Sequence, residues 1–449
     1  MKEYLKIMRL VWPLAFGMIN NALMQFVDRA FLARESMISL EAVLPASMLS
    51  LVLLCFFQAI VAYSGTFVAN YHGAKDLRLT MLSYRAGLLL AVLFGVLSLG
   101  LLPLGGMIFE AVSHSAEVIA RQKVYFEICT AGGIFLYIQM ASQSYFTGRG
   151  KTRTVLIINI LGNVVNIVLD YILIFGCGFI PRLGIAGAAI ATVASLATQC
   201  IALLAMAKLS ERMSAVKIRP SDWFSKDMLL LLVRIIRFGV PSGAYNVLNL
   251  LSFTIFVFFT GRVGHLYAAV SNACFAVNYL LFAPIEGFAL GASTLVAQAK
   301  GANDIAAAHR AGWRTAWLAV GVTVVLMAIT LLAYRPILMI FAPDNPALAE
   351  QFVEQGWILL LLMTAWQIFE VFDTVVSGAL KGAGDTTFVL WWMLLNAFVL
   401  WIPAVIAVSF IDNTMPTLWA TMIGYVAILS IGTTIRWQRG KWKAISIDK

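Results

Sequence analysis

Long apolar runs, broken by short clusters of charge, glycine and proline, dominate this chain. Twelve of them read as spans, at approximately 11–33, 45–67, 84–108, 123–147, 154–176, 185–207, 237–260, 267–297, 315–334, 356–380, 387–410 and 416–435. At 1.5 Å per helical residue, about 20 residues cross a hydrocarbon core of roughly 30 Å. Barrel strands would alternate apolar and polar positions, and these runs do not. The pattern predicts an all-α polytopic membrane protein with twelve transmembrane helices.

The pattern also repeats. Residues 13–76 and 241–304 align without a gap at an offset of 228, Pro13 on Pro241 and YHGAKD (71–76) on AKGAND (299–304). At an offset of 234, TGRGKT (147–152) matches KGAGDT (381–386). Two six-helix lobes in the same orientation follow, related by an axis along the membrane normal, with a substrate site expected between them. The lobes are expected at 1–207 and 229–437, joined by a basic linker at 208–228 and followed by a basic tail at 438–449.

Composition agrees: 61% of the 449 residues are hydrophobic and 12% are charged, against about 25% in soluble domains. The net charge of +10 is a topology signal. With the N-terminus inside, 25 of the 32 Lys and Arg residues fall on cytoplasmic segments, so both termini are expected in the cytoplasm, without a nucleic-acid partner. The first run is too long for a signal peptide and should remain as the first span.

Few acids fall inside the spans, where an ionisable group costs at least about 2.5 kcal/mol. Asp28 and Asp170 each lie 6 residues before an outer helix end, hence at one depth. Asn163, Asn166 and Asp170 form one polar stripe, and Asn21, Gln25 and Asp28 repeat its spacing. Such oxygen stripes suit a hard monovalent cation, or a proton shared between carboxylates. The repeat puts Phe256 opposite Asp28 and Ala404 opposite Asp170, so folding a lobe does not require these acids. The second lobe carries its own stripe, Gln367, Glu370 and Asp373, with Glu286 just after Pro284. A central cleft lined by Met, Phe and Trp, with these acids as its nearest charges, would favour lipophilic cations.

Other chemistries find no support. The four histidines show no HExxH or Cys/His metal spacing, the five cysteines no CxxC pair, and there is no Walker A sequence. No enzyme activity and no cofactor are expected.

WPLAFGMINNALMQFVDRAFLA (12–33), TGRGKTRTVLIINILGNVVNIVLDYILIFG (147–176) followed by GIAGAAIATVAS (184–195), and FDTVVSGALKGAGDT (372–386) resemble the multidrug and toxic compound extrusion (MATE) family over nearly the whole chain. The resemblance implies two six-helix bundles around a V-shaped cleft, and export of organic cations by alternating access driven by a sodium or proton gradient. It also implies a monomer in the bacterial inner membrane, whose partners are small organic cations and the lipid bilayer. By motif, Asp28, Asn166, Asp170 and Thr192, with Asn163 on the same stripe, match the N-lobe cation site, a sodium site at Asp28, Asn166 and Asp170 if sodium is the ion. Asp373 matches an acid of the NorM-type branch, which has a helix-7 glutamate where this chain has Asn249 and tends to have Asn where it has Asp170. The latter is DinF-like, and the mixture leaves the ion open between H+ and Na+. A lipid-linked oligosaccharide flippase of the wider superfamily is the rival reading. It calls for a basic cavity, whereas these mid-span charges are acidic. A non-transporting scaffold would gain nothing from burying them.

Overall fold

The computed structural model describes residues 2–111, 115–178, 180–213, 222–223, 225–343, 345–412 and 414–447. The first lobe is built from α1 (Lys2–Glu35), α2 (Met37–Gly73), α3 (Leu77–Leu99), α4 (Leu102–Glu110), α5 (Ala116–Ala131), α6 (Gly133–Gly148), α7 (Thr152–Phe175) and α8 (Ile185–Arg212). The second comprises α9 (Lys226–Thr260), α10 (His265–Gly301), α11 (Ile305–Leu332), α12 (Tyr334–Met339), α13 (Pro346–Gly382), α14 (Thr386–Leu394), α15 (Ile402–Ile411) and α16 (Met415–Arg439). Among the described residues, 11 helices are long and apolar enough to span a membrane, α14 and α15 counting as one, and the α5–α6 pair makes a twelfth. Lys217 and Arg219 of the linker lie outside the described residues.

Three expected spans are less regular than their apolar runs suggest. The run 84–108 is not one helix: α3 stops at Leu99, and the short α4 restarts with Pro103 in its first turn, where a missing N–H costs nothing. The run 123–147 bends by 42° at Gly132–Gly133, where Gly132 lies so close to Val193 that no Cβ would fit. Between α14 and α15, Leu395–Trp401 forms a π-helical turn just before Pro403. Proline cannot donate to the carbonyl four residues back, so the backbone widens there. The offset of 234 puts this turn opposite Leu161–Ile167 of α7, which stays regular α-helix.

The repeat is visible in the backbone. Lys75 and Asn303, 228 apart, are the non-glycine residues with positive φ among those described (62° and 56°). Each precedes an aspartate N-cap: Asp76 accepts from Leu79 N at 2.8 Å, and Asp304 from Ala307 N at 2.7 Å. Gly73 packs on the carbonyl of Gln298, and its counterpart Gly301 on that of Asn70, the counterpart of Gln298. A side chain at either glycine would force the lobes apart.

The closest approaches between lobes cluster in the half that holds both chain ends. There Ile7, Val11 and Leu14 of α1 sit in the core of the second lobe with Ile285 and Phe288. Reciprocally, Leu231 and Ile235 of α9 sit in the core of the first with Ile60 and Phe67. Gln298 Nε2 donates to Gly148 O at 2.7 Å, and Tyr63 Oη to Lys381 O at 2.8 Å.

The end of the chain straps this junction. Trp442 stacks on Trp437 at 4.2 Å, and Ile447 is buried in the core of the first lobe. Lys300 Nζ donates to the carbonyls of Ala383, Trp442 and Ile445 at 2.8, 3.2 and 2.6 Å. Losing those bonds leaves carbonyls unpaired at a cost of about 1–3 kcal/mol. Lys300→Met is therefore expected to loosen the strap: a cysteine at Ile447→Cys should react with a maleimide roughly tenfold faster in that background. An unchanged rate would show that the tryptophan stack holds the strap alone.

Candidate functional site

In the first lobe, α1 and α7 pack together and bring their polar stripes face to face. Asn166 and Asp170 are fully buried and Asp28 is half-buried. With its amide nitrogen toward the carboxylates, Asn166 donates to Asp28 Oδ1 at 2.9 Å and to Asp170 Oδ2 at 3.2 Å. The two carboxyl groups are also within hydrogen-bonding reach of each other. No donor among the described residues reaches Asp170 Oδ1. Two carboxylates this close in an apolar interior repel, so the arrangement requires a proton or a small cation between them. The buried Tyr125 hydroxyl of α5 faces both acids and hydrogen-bonds with Cys129, closing the site on a third side.

The two stripes also meet at a second point, while Gln25 and Thr192 turn away. Asn163 Nδ2 donates to Asn20 O at 3.1 Å and to Asn21 Oδ1 at 3.3 Å, tying α7 to α1 deeper in the lobe. Gln25 Nε2 leaves the lobe to reach Tyr279 Oη on α10 at 3.2 Å. The Thr192 hydroxyl donates to Ala188 O of its own helix at 3.0 Å rather than toward the acids. Serine and threonine commonly take such a bond inside an apolar helix, where no water competes. Among the described residues no cluster of three or more His, Cys, Asp or Glu side chains could hold a metal ion.

In the second lobe, Asp373 Oδ1 accepts from Thr433 of α16 at 3.0 Å and from Ser377 at 3.4 Å. Glu370 Oε2 accepts from Trp366 Nε1 at 3.1 Å, and Gln367 donates to Asn278 of α10. Glu286 of α10 is solvent-accessible and faces Lys381 of α13. Asn249, on α9, is exposed. Tyr245, one turn earlier on α9, faces Glu286, Glu370 and Asp373.

Two expectations about this region need correction. Trp366, Trp401 and Trp419 do not line a cleft; they are buried in the lobe core, Trp366 against Trp419 at 4.9 Å and Trp401 stacked on Tyr425 at 4.3 Å. Nor are acids the only charges here. Lys381 Nζ sits 3.7 Å from the centre of the Tyr245 ring and faces Glu286 and Asp373. The sequence reading missed Lys381, Tyr245, Tyr125 and Cys129. Lys381 did leave a signal: Gln367, Glu370, Asp373, Ser377 and Lys381 continue one stripe of α13 at helical spacing.

Two repeat-related lobes, each burying polar groups at membrane depth, define a membrane transporter rather than a receptor or a soluble enzyme. The MatE family model matches residues 13–172 and again 241–435, and the chain belongs to that transporter family. It is 24% identical over 453 residues to the probable multidrug resistance protein NorM of Thermotoga maritima, covering 98% of this chain and 93% of that protein. To the protein of the same name from Brucella suis it is 25% identical over 449 residues, with the same coverage. Its fold matches a MATE crystal structure in complex with MaL6 (TM-score 0.86, 20% identity, 98% and 96% of the two chains). It likewise matches a MOP superfamily transporter from Pyrococcus furiosus described as having a binding pocket of reversed polarity (TM-score 0.84, 20% identity, 99% and 96%).

Proposed function

We propose that this protein is a secondary antiporter that exports lipophilic organic cations in exchange for H+ or Na+, by alternating access between its two lobes. The observation that carries this reading is the Asp28–Asn166–Asp170 cluster, buried in one lobe and absent from the other. A structural role would be expected in both halves of a repeat. A single-lobe acidic pair suits a site that is loaded and unloaded by a small cation. Glu286, Glu370 and Asp373 outnumber Lys381 in the second lobe, which favours a cationic cargo over the pyrophosphate of a lipid-linked sugar. The relatives named multidrug resistance proteins support a small-molecule cargo.

In this reading the lobes comprise 1–207 and 229–437, linked through 208–228, and work as a monomer in a bacterial inner membrane. The cytoplasmic side, marked by both termini and the basic connections, is the side on which the lobes are closed together. The ion is substrate: Asp28 and Asp170 take it up, and Asn166, whose amide can turn either face to them, accommodates both states.

Export of ethidium from cells expressing the protein, under imposed proton or sodium gradients, tests this. Efflux should follow one of the two gradients and collapse when that gradient is dissipated. No cation efflux under either gradient, with transport of an anionic lipid-linked sugar instead, would overturn the reading in favour of the flippase.

A further inference from the structure

Lys381 lies in the last turn of α13, eight residues and about two turns beyond Asp373, on the same helix face. Its ammonium lies 3.7 Å from the centre of the Tyr245 ring and faces two carboxylates from different helices, Glu286 of α10 and Asp373 of α13. An aromatic face flanked by carboxylates is the chemistry that recognises an organic ammonium ion. The backbone beneath the side chain is fixed. The Lys381 carbonyl accepts from Tyr63 Oη of the first lobe at 2.8 Å, and Gly382 packs without room for a Cβ on the backbone of Ser293. Only the flexible four-carbon side chain is free to move.

We propose that Lys381 is a tethered counter-cation: its ammonium occupies the box formed by Tyr245, Glu286 and Asp373, and an exported ammonium-type cation binds there by displacing it. The inference rests on the cation-efflux reading above and goes beyond it by naming a specificity-determining residue. The displaced lysine remains on the same helix, so it competes for the box throughout the binding event. That competition limits affinity and speeds release. Asp373 keeps its donors Thr433 and Ser377. A cation without hydrogen-bond donors gains the aromatic face but offers none to Glu286, so primary and secondary amines should be preferred to quaternary ones of equal lipophilicity.

Binding of ethidium to the purified full-length protein in detergent, followed by fluorescence anisotropy, tests this. K381Q should bind about tenfold more tightly than wild type, because a competing charge has gone, and should release ethidium more slowly. K381R, which keeps the charge, should resemble wild type. E286Q and D373N should weaken binding. Equal or weaker binding by a K381Q protein that melts like wild type would overturn the proposal. If K381Q does not fold, acetylation of Lys381 in the wild type, read by mass spectrometry, decides the matter: ethidium should raise it by freeing the amine, and no rise would count against displacement. Wild type that binds ethidium while K381Q shows no gain sinks only this inference. Wild type that binds no organic cation sinks the efflux reading with it.

Discussion

Asp28→Asn and Asp170→Asn should each reduce gradient-driven efflux to background while leaving the protein folded and inserted. Both changes keep the size and most of the hydrogen bonding of the side chain and remove the charge that an ion or proton must neutralise. The geometry favours retention of the fold. Asn166 now offers its amide nitrogen to Asp28 Oδ1 and Asp170 Oδ2, and turning that amide over would present an oxygen to a new asparagine instead. Removing one member of a close buried carboxyl pair also relieves repulsion, so the melting temperature should hold or rise slightly. If the variants instead misfolded, the cluster would be structural; if they exported ethidium at wild-type rates, the ion would bind elsewhere. Asn166→Ala should give an intermediate phenotype, because it removes the clamp but neither charge.

How much of this could be read from the sequence varies from residue to residue. The spans and the repeat were legible because lipid imposes long apolar runs, and because a duplicated backbone needs the same turn residues in both halves. GAKD and GAND predict matching turns, and the structure delivers a left-handed residue followed by an aspartate cap in each. Asp28, Asn166 and Asp170 stood out because helical spacing and depth can be counted along a chain, and the structure brings these three together. What one helix contributes alone was legible; what depends on a distant helix was not. Gln25 belongs to its stripe by spacing, yet a partner on α10 draws it elsewhere, whereas Asn163 meets Asn21 of the facing stripe. Tyr125 and Cys129 are ordinary apolar-face residues until α5 is folded against α2 and α8. Lys381 was counted among the basic residues of a cytoplasmic turn, where the positive-inside pattern already explains a lysine. The tryptophans were read as a cleft lining because composition says nothing about which side of a helix meets lipid, cavity or core.

Joining the lobes on their closed side should stop transport without touching either charged site. Asn70 Nδ2 donates to Ala297 O at 3.4 Å, which puts α2 and α10 in direct contact at the junction. Cysteines at Asn70→Cys and Ala297→Cys should therefore cross-link on mild oxidation or with a short bifunctional maleimide. Opening this side has to break this contact together with the Gln298–Gly148 and Tyr63–Lys381 hydrogen bonds. Each of these hydrogen bonds contributes a net stabilisation of only about 0.5–1.5 kcal/mol and can reopen, whereas a covalent bond holds. Ethidium efflux should fall to background in the cross-linked double variant and return after reduction of the disulfide. Neither single variant, with the five native cysteines in place, should respond to oxidant. Ion and substrate binding measured in detergent should survive, because the Asp28 and Asp373 sites lie within single lobes. A cross-linked protein that still exports ethidium would mean that this junction never opens, and that substrate crosses without alternation of the two lobes.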